Sequence, residues 1–242
     1  MALLAYSSNS ETIPDDTISY RCGGTVINHR YILTAAHCLV NTDYRLLGVR
    51  LGEHDLRTER DCQEVCAPPV QDIIAEEVIP HPQYRRPDKN DIGLIRLQRD
   101  IIFNQAVRPI CLPIGRTQQL KSLDGQKVTV TGWGTTEFGT NSPILKKVDL
   151  PIVPISRCAR IYNTSVQITA QHICAGGSQG KDSCAGDSGG PLQNLAQKAG
   201  ELVYIQYGVV AFGPRHCGSW GMPGVYTRVG YYMEWILNNM RP

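Results

Sequence analysis

Along this chain the apolar residues come in short alternating or β-branched runs, with little of the three-to-four-residue spacing of a helix face. Thr25-Val26-Ile27, Tyr31-Ile32-Leu33, Val49-Arg50-Leu51, Lys127-Val128-Thr129-Val130-Thr131 and Leu202-Val203-Tyr204-Ile205 are of this kind, with Gly, Asn, Asp and Pro between them. A period of two sends alternate side chains to one face, and β-branched residues suit a pleated surface, so these runs predict strands. Near the end Tyr232, Trp235, Ile236 and Met240 share one helical stripe, which predicts a single C-terminal helix over 231–240 packed on the body. The pattern is all-β, without an internal repeat or low-complexity tract.

Composition narrows the class. The 242 residues are 42% hydrophobic, ordinary for a globular protein, and the net charge is only +2. Basic pairs such as Arg85-Arg86 and Lys146-Lys147 are dispersed and read as solvated faces, so no nucleic-acid partner is expected. No apolar run is long enough to span a bilayer, and no membrane partner is expected. Nine cysteines point to an oxidising, extracellular compartment, and their odd number leaves one over. A metal cluster is the weaker reading, because the cysteines are scattered without zinc-like spacing.

The chemistry centres on Gly186-Asp187-Ser188-Gly189-Gly190-Pro191. A serine flanked by glycines can expose its hydroxyl on a tight turn, and the N–H groups of Gly186 and Ser188 can bind an oxyanion. Taken alone, the same hexapeptide is also a Gly-rich surface turn. A serine nucleophile needs a neutral imidazole to take its proton and a carboxylate to fix the tautomer. Of six histidines, His29, His54, His81, His172 and His216 lie among polar or turn-forming neighbours. His37 closes Ile32-Leu33-Thr34-Ala35-Ala36-His37-Cys38, beside a cysteine able to anchor its loop. Asp91 heads the apolar run Ile92-Gly93-Leu94-Ile95, where a buried carboxylate needs a hydrogen-bond partner such as an imidazole N–H.

In that order, Thr34-Ala35-Ala36-His37-Cys38, Asp91-Ile92-Gly93-Leu94 and Gly186 to Pro191 resemble the chymotrypsin and trypsin family of serine proteases over the whole chain. The resemblance implies two antiparallel six-stranded β-barrels, the first over about 1–108 and the second over about 122–230, joined by a linker at 109–121. It implies that His37 is base and then acid, that Asp91 orients it, and that Ser188 attacks the scissile carbonyl. Asp182, six residues before Ser188, matches the floor of the pocket that selects Arg or Lys, and Gly213 and Gly224 match its walls. Ala211 and Phe212 depart from the serine and tryptophan usual in the family, and the first removes a hydroxyl expected to support the triad aspartate.

The same resemblance pairs Cys22 with Cys38, Cys158 with Cys174 and Cys184 with Cys217. Cys62 with Cys66, followed by Ala67-Pro68-Pro69, resembles the loop bridge of arthropod clip-domain proteases, as does Phe212-Gly213-Pro214. In that subgroup the cysteine matching Cys111 bonds a regulatory segment upstream of the catalytic domain. A secreted, monomeric cascade protease of arthropod-type innate immunity is implied, activating prophenoloxidase or a cytokine precursor of the Toll type. Its partners would be a protein substrate with Arg or Lys before the cleaved bond, an upstream activating protease and a serpin-type inhibitor. The alternative is a non-catalytic protease homologue acting as a cofactor or binding module. No cofactor is required, although Glu53, Asp55, Asp61 and Glu64 stand where the family has a calcium loop; an acidic solvated loop is at least as common. Asn163-Thr164-Ser165 is a glycosylation sequon.

Active family members ion-pair a freed α-amino group with the aspartate before the nucleophile, here Asp187. No Ile-Val-Gly-Gly sequence is present, and Met1 to Tyr6 matches the first barrel strand. The expectation is a chain that begins after its activation segment and signal, and is therefore inactive or zymogen-like as written.

Overall fold

The computed structural model describes residues 1–9, 18–40, 43–62, 64–86, 89–163, 166–178, 180–198 and 200–241. The first barrel is formed by β1 (Ala2–Ser8), β2 (Ser19–Val26), β3 (Tyr31–Thr34), β4 (Tyr44–Leu51), β5 (Gln71–Pro80) and β6 (Gly93–Leu97), closed in the order β1-β2-β3-β6-β5-β4. The second holds β7 (Lys127–Gly132), β8 (Lys146–Val153), β9 (His172–Gly176), β10 (Pro191–Lys198), β11 (Glu201–Phe212) and β12 (Pro223–Arg228), closed as β10-β11-β12-β9-β8-β7. Closure removes free sheet edges, and every strand pairing is antiparallel.

β7 shows the expected half-buried alternation, with Val128 and Val130 inside the second core and Thr129 and Thr131 facing outward. β3 and β6 instead are buried on both faces. Their inner side chains fill the first barrel, and the C-terminal segment covers them outside. Val229, Tyr232, Met233 and Ile236 join the first core, and the Arg241 N–H donates to Tyr31 Oη. The β2–β3 turn is set by Asn28, whose Oδ1 accepts from the N–H groups of Arg30 and Tyr31, each at 2.8 Å.

Two expectations need correction. The C-terminal helix is shorter than 231–240: a 3₁₀ turn at Val229–Tyr231 precedes the helix Met233–Asn238. Nor is it the only helix. α1 (Arg116–Gln119) lies within the linker, and α2 (Ile155–Tyr162) follows Pro154, so the terminal helix is α3. α2 is two turns long and buries only Cys158 and Tyr162, a single i, i+4 pair too brief to register as periodicity. No helix among the described residues is long and apolar enough to cross a membrane.

Candidate active site

His37 sits in the 3₁₀ turn Ala36–Cys38 that ends β3, and the Cys22–Cys38 disulfide ties this turn to β2. Tyr6 Oη also holds it, donating to the Cys38 carbonyl at 3.1 Å. Asp91, 3% exposed, accepts twice from His37: Oδ1 from the backbone N–H at 2.9 Å and Oδ2 from Nδ1 at 2.7 Å. A carboxylate acceptor at Nδ1 makes that nitrogen the donor and leaves the lone pair on Nε2. His37 and Ser188 line one cavity.

The residue before Asp91 is unusual. Asn90 has φ of 55°, the left-handed region, where among non-glycine residues Asn is one of the least strained. Its side chain is clamped by Tyr232 Oη donating to Oδ1 at 3.0 Å and by its own Nδ2 donating to the Gln83 carbonyl at 2.9 Å. On the other side, Thr227 Oγ1 of β12 donates to the Asp91 carbonyl at 2.7 Å. Ala211 contributes no hydroxyl, and His37 is the one residue hydrogen-bonded to the Asp91 carboxylate among the described residues.

Ser188 lies between β9 and β10 on a loop fixed by its own backbone. The Asp187 N–H donates to the Cys184 carbonyl, Gly190 to Asp187, and Gly189 to Val210. The Ser188 carbonyl accepts from the Gly23 N–H of β2 at 2.8 Å, so the nucleophile candidate is pinned to the opposite barrel. Glycine is required at 189: its φ is +78°, and a Cβ would come within 2.2 Å of Thr34 Oγ1. Among the described residues the N–H groups of Gly186 and Ser188 have no backbone acceptor, which leaves both donors for an oxyanion.

Two further carboxylates flank the loop. Asp182 accepts from the N–H groups of Ser183 at 2.9 Å and Gly218 at 3.1 Å, but burial outweighs these bonds and pushes its pKa up to about 6. A Cβ on Gly224 would lie 3.0 Å from its Oδ1, and one on Gly213 would meet the Gly224 Cα at 3.7 Å, so side chains there would fill the approach to Asp182. Asp187 accepts from the N–H groups of Gly134 and Cys184, each at 2.8 Å, and burial raises its pKa as well. It borders a cavity of about 280 Å³ and forms no ion pair among the described residues.

Comparison with known proteins agrees with this geometry. The Trypsin family model matches residues 1–236. This chain belongs to the trypsin family. It is 45% identical to Melanization protease 1 of Drosophila melanogaster over 253 aligned residues, covering 100% of the chain and 62% of that protein. Against Phenoloxidase-activating factor 1 of Holotrichia diomphalia it is 43% identical, covering 100% and 66%. The crystal structure of the Drosophila Grass clip serine protease of the Toll pathway superposes with a TM-score of 0.85 at 40% identity, covering 99% of the chain and 68% of that structure. The chain thus spans just under two thirds of the length of curated relatives such as Melanization protease 1.

In this trypsin-family chain the disulfides are Cys22–Cys38, Cys62–Cys66, Cys158–Cys174 and Cys184–Cys217. Cys111 is unpaired and half-buried, bridged through its backbone to β11 beside the exposed Tyr204. One metal-sized group of Cys and His occurs among the described residues, Cys22, His37 and Cys38, but both sulfurs are in a disulfide. Of the acidic residues in the 53–64 loop, Glu53, Asp55, Asp61 and Glu64 do not all converge. Glu53 and Asp61 meet at the His54 N–H, 2.9 and 3.0 Å away, while Asp55 is turned to Arg57, which holds its carboxyl down to about 2. Glu64 is exposed. Asn163 is exposed at the end of α2, and Thr164 and Ser165 lie outside the described residues.

Several contributors lie outside the sequence motifs. Ser183 Oγ contacts the fully buried Tyr226 Oη at 2.9 Å on the floor beside Asp182. Phe212 is met edge-on by Tyr162 at 5.9 Å and His172 at 6.4 Å, forming an aromatic wall. Ser183 adjoins Asp182 in sequence and was open to suspicion. The aromatic wall joins residues far apart in the chain and carries no local signal.

Proposed function

We propose that this chain is the catalytic part of an extracellular serine endopeptidase that cleaves after Arg or Lys and acts in an insect-type immune cascade. The observation that carries the reading is Asp182, a half-buried carboxylate beside the Ser188 loop whose partners among the described residues are backbone N–H groups. An arriving guanidinium or ammonium supplies the missing charge, so pairing favours basic side chains and disfavours apolar or acidic ones.

With the basic side chain at Asp182, the scissile carbonyl lies over Ser188. Oγ attacks the carbon as Nε2 of His37 takes the hydroxyl proton, and the N–H groups of Gly186 and Ser188 hold the oxyanion. Asp91 keeps the Nδ1–H tautomer and stabilises the imidazolium. His37 then returns the proton to the leaving amine, and a water repeats the sequence on the acyl-enzyme. Asp187 receives a freed α-amino group after upstream cleavage, and the adjoining cavity gives an aliphatic terminal residue room to enter.

The upstream regulatory segment is bonded through Cys111, the one unpaired thiol among the described cysteines, and an upstream protease and a serpin-type inhibitor complete the partner set. Glu53 and Asp61 would be the carboxylates to hold a structural calcium ion, which would tie the 53–64 loop together. Asn163 carries a glycan, which glycosidase treatment of the secreted protein would reveal as a mobility shift.

The direct test is fluorophosphonate labelling of the activated full-length protein together with turnover of an Arg chromogenic peptide. Labelling at Ser188 and cleavage after Arg are expected. A folded, activated protein that neither labels nor cleaves would instead be a non-catalytic homologue.

A further inference from the structure

A cavity of about 190 Å³ opens beside Ser188 and His37 and shares no residue with the surroundings of Asp182. Its wall includes the Cys22–Cys38 disulfide, and its rim carries Arg21 and Arg86, both exposed. The leaving amine must reach His37 to collect its proton, so the departing part of the substrate lies over this cavity while the retained part is anchored at Asp182.

Arg21 is held for recognition rather than neutralised. Its guanidinium carbon lies 3.4 Å from the ring centroid of Tyr44, and its Nε donates to Ser19 Oγ at 3.3 Å. Stacking on a tyrosine fixes the guanidinium plane and leaves its terminal N–H edges to donate. Elsewhere Arg30, Arg50, Arg57, Arg96 and Arg241 each have a carboxylate within ion-pair distance. Arg21 and Arg86 have none among the described residues, and no carboxylate lines the cavity. Two cations without an ion pair among the described residues, set around one small cavity, attract an acidic side chain and repel a basic one.

We infer that the enzyme prefers protein substrates with an acidic residue within the first three positions after the cleaved bond, its carboxylate recognised by Arg21 and Arg86. This rests on the proposed cleavage after Arg or Lys. It makes the substrate a bipolar segment, with a basic residue before the bond and an acidic residue shortly after it.

The test uses the activated full-length enzyme and internally quenched peptides with Arg before the bond and Glu, Gln or Lys at each of the next three positions. At one or more positions Glu should exceed Gln in kcat/KM by about fivefold and Lys should fall below Gln by a similar factor, the size of one close charge pair in water. The preference should shrink in roughly 0.5 M salt. Arg21→Glu and, separately, Arg86→Glu should reduce or invert the Glu-to-Lys ratio. Because that ratio is read within one protein preparation, partial loss of folding does not move it. Cleavage after Arg with equal rates for Glu and Lys at all three positions, or a ratio unmoved by both reversals, would overturn this inference alone. Absence of cleavage after Arg in every peptide would overturn it together with the specificity reading.

Discussion

Asp91 of the first barrel is buried and Asp182 and Asp187 of the second are half-buried, and the three carboxylates are satisfied differently. Asp91 takes a backbone N–H and a ring nitrogen from His37, a partner built into the same barrel. Asp182 and Asp187 take backbone N–H groups only, and burial raises the pKa of both. Dipoles without an opposite charge leave a carboxylate under-stabilised in low dielectric. The first barrel therefore completes its electrostatics internally. The second holds two carboxylates with no ion pair among the described residues, the feature on which the proposed roles of Asp182 and Asp187 rest.

Removing the nucleophile gives the largest expected effect: Ser188→Ala lowers kcat by about 10⁶, and Asp91→Asn, which reverses the imidazole tautomer, by about 10⁴. Retained turnover in Asp91→Asn would mean that the first barrel's internal pairing is dispensable. Next comes Asp182→Ser, which should lower kcat/KM on Arg peptides by at least ~10³ while raising the thermal midpoint at pH 8, since a half-buried charge without an ion pair among the described residues is removed. A fall in that midpoint would show that Asp182 is already compensated.

The pH dependence tests the same contrast. A carboxylate with a raised folded-state pKa destabilises the fold above that pKa, and the penalty is relieved as pH falls towards its unfolded value. The stability difference between parent and Asp182→Ser should thus begin to fall near the folded pKa of about 6 and vanish below the unfolded value of about 4. An aryl amidine, used as a cation probe, should bind about tenfold more weakly for each pH unit below about 6, because proton and cation compete. Amidine affinity that is flat from pH 8 to 5 would contradict this. Smaller still, chelation should lower the melting temperature by a few degrees if Glu53 and Asp61 hold calcium, and Glu53→Gln should abolish the difference. Smallest is Ala211→Ser, expected to change kcat by no more than about threefold, since His37 already engages both oxygens of Asp91.

The family was legible because the segments around His37, Asp91 and Ser188 are short local patterns, and their resemblance carried the two-barrel architecture with it. The strands were legible from alternation where one face is buried, as in β7, and from short apolar runs at β3 and β6, where both faces are covered. α2 escaped notice because its apolar contact is a single pair. In the acidic loop, proximity in sequence does not decide which partner a carboxylate turns to: Asp55 pairs with Arg57, two residues away, while Glu53 and Asp61 meet at the His54 N–H. Asn90 carried no signal at all, since a left-handed φ and bonds to Tyr232 and Gln83 are properties of the folded neighbourhood.

Two of the hydrogen bonds that join the barrels run in opposite directions. Gly23 of the first barrel grips the carbonyl of Ser188, and Thr227 of the second grips that of Asp91. Each half thus carries a stitch through the other's key residue, and the seam cannot gape at one point without loosening both. Inter-barrel breathing and loss of chemistry should therefore be one event. Slow amide exchange at Gly23 would serve as a gauge of how tightly the seam is sewn.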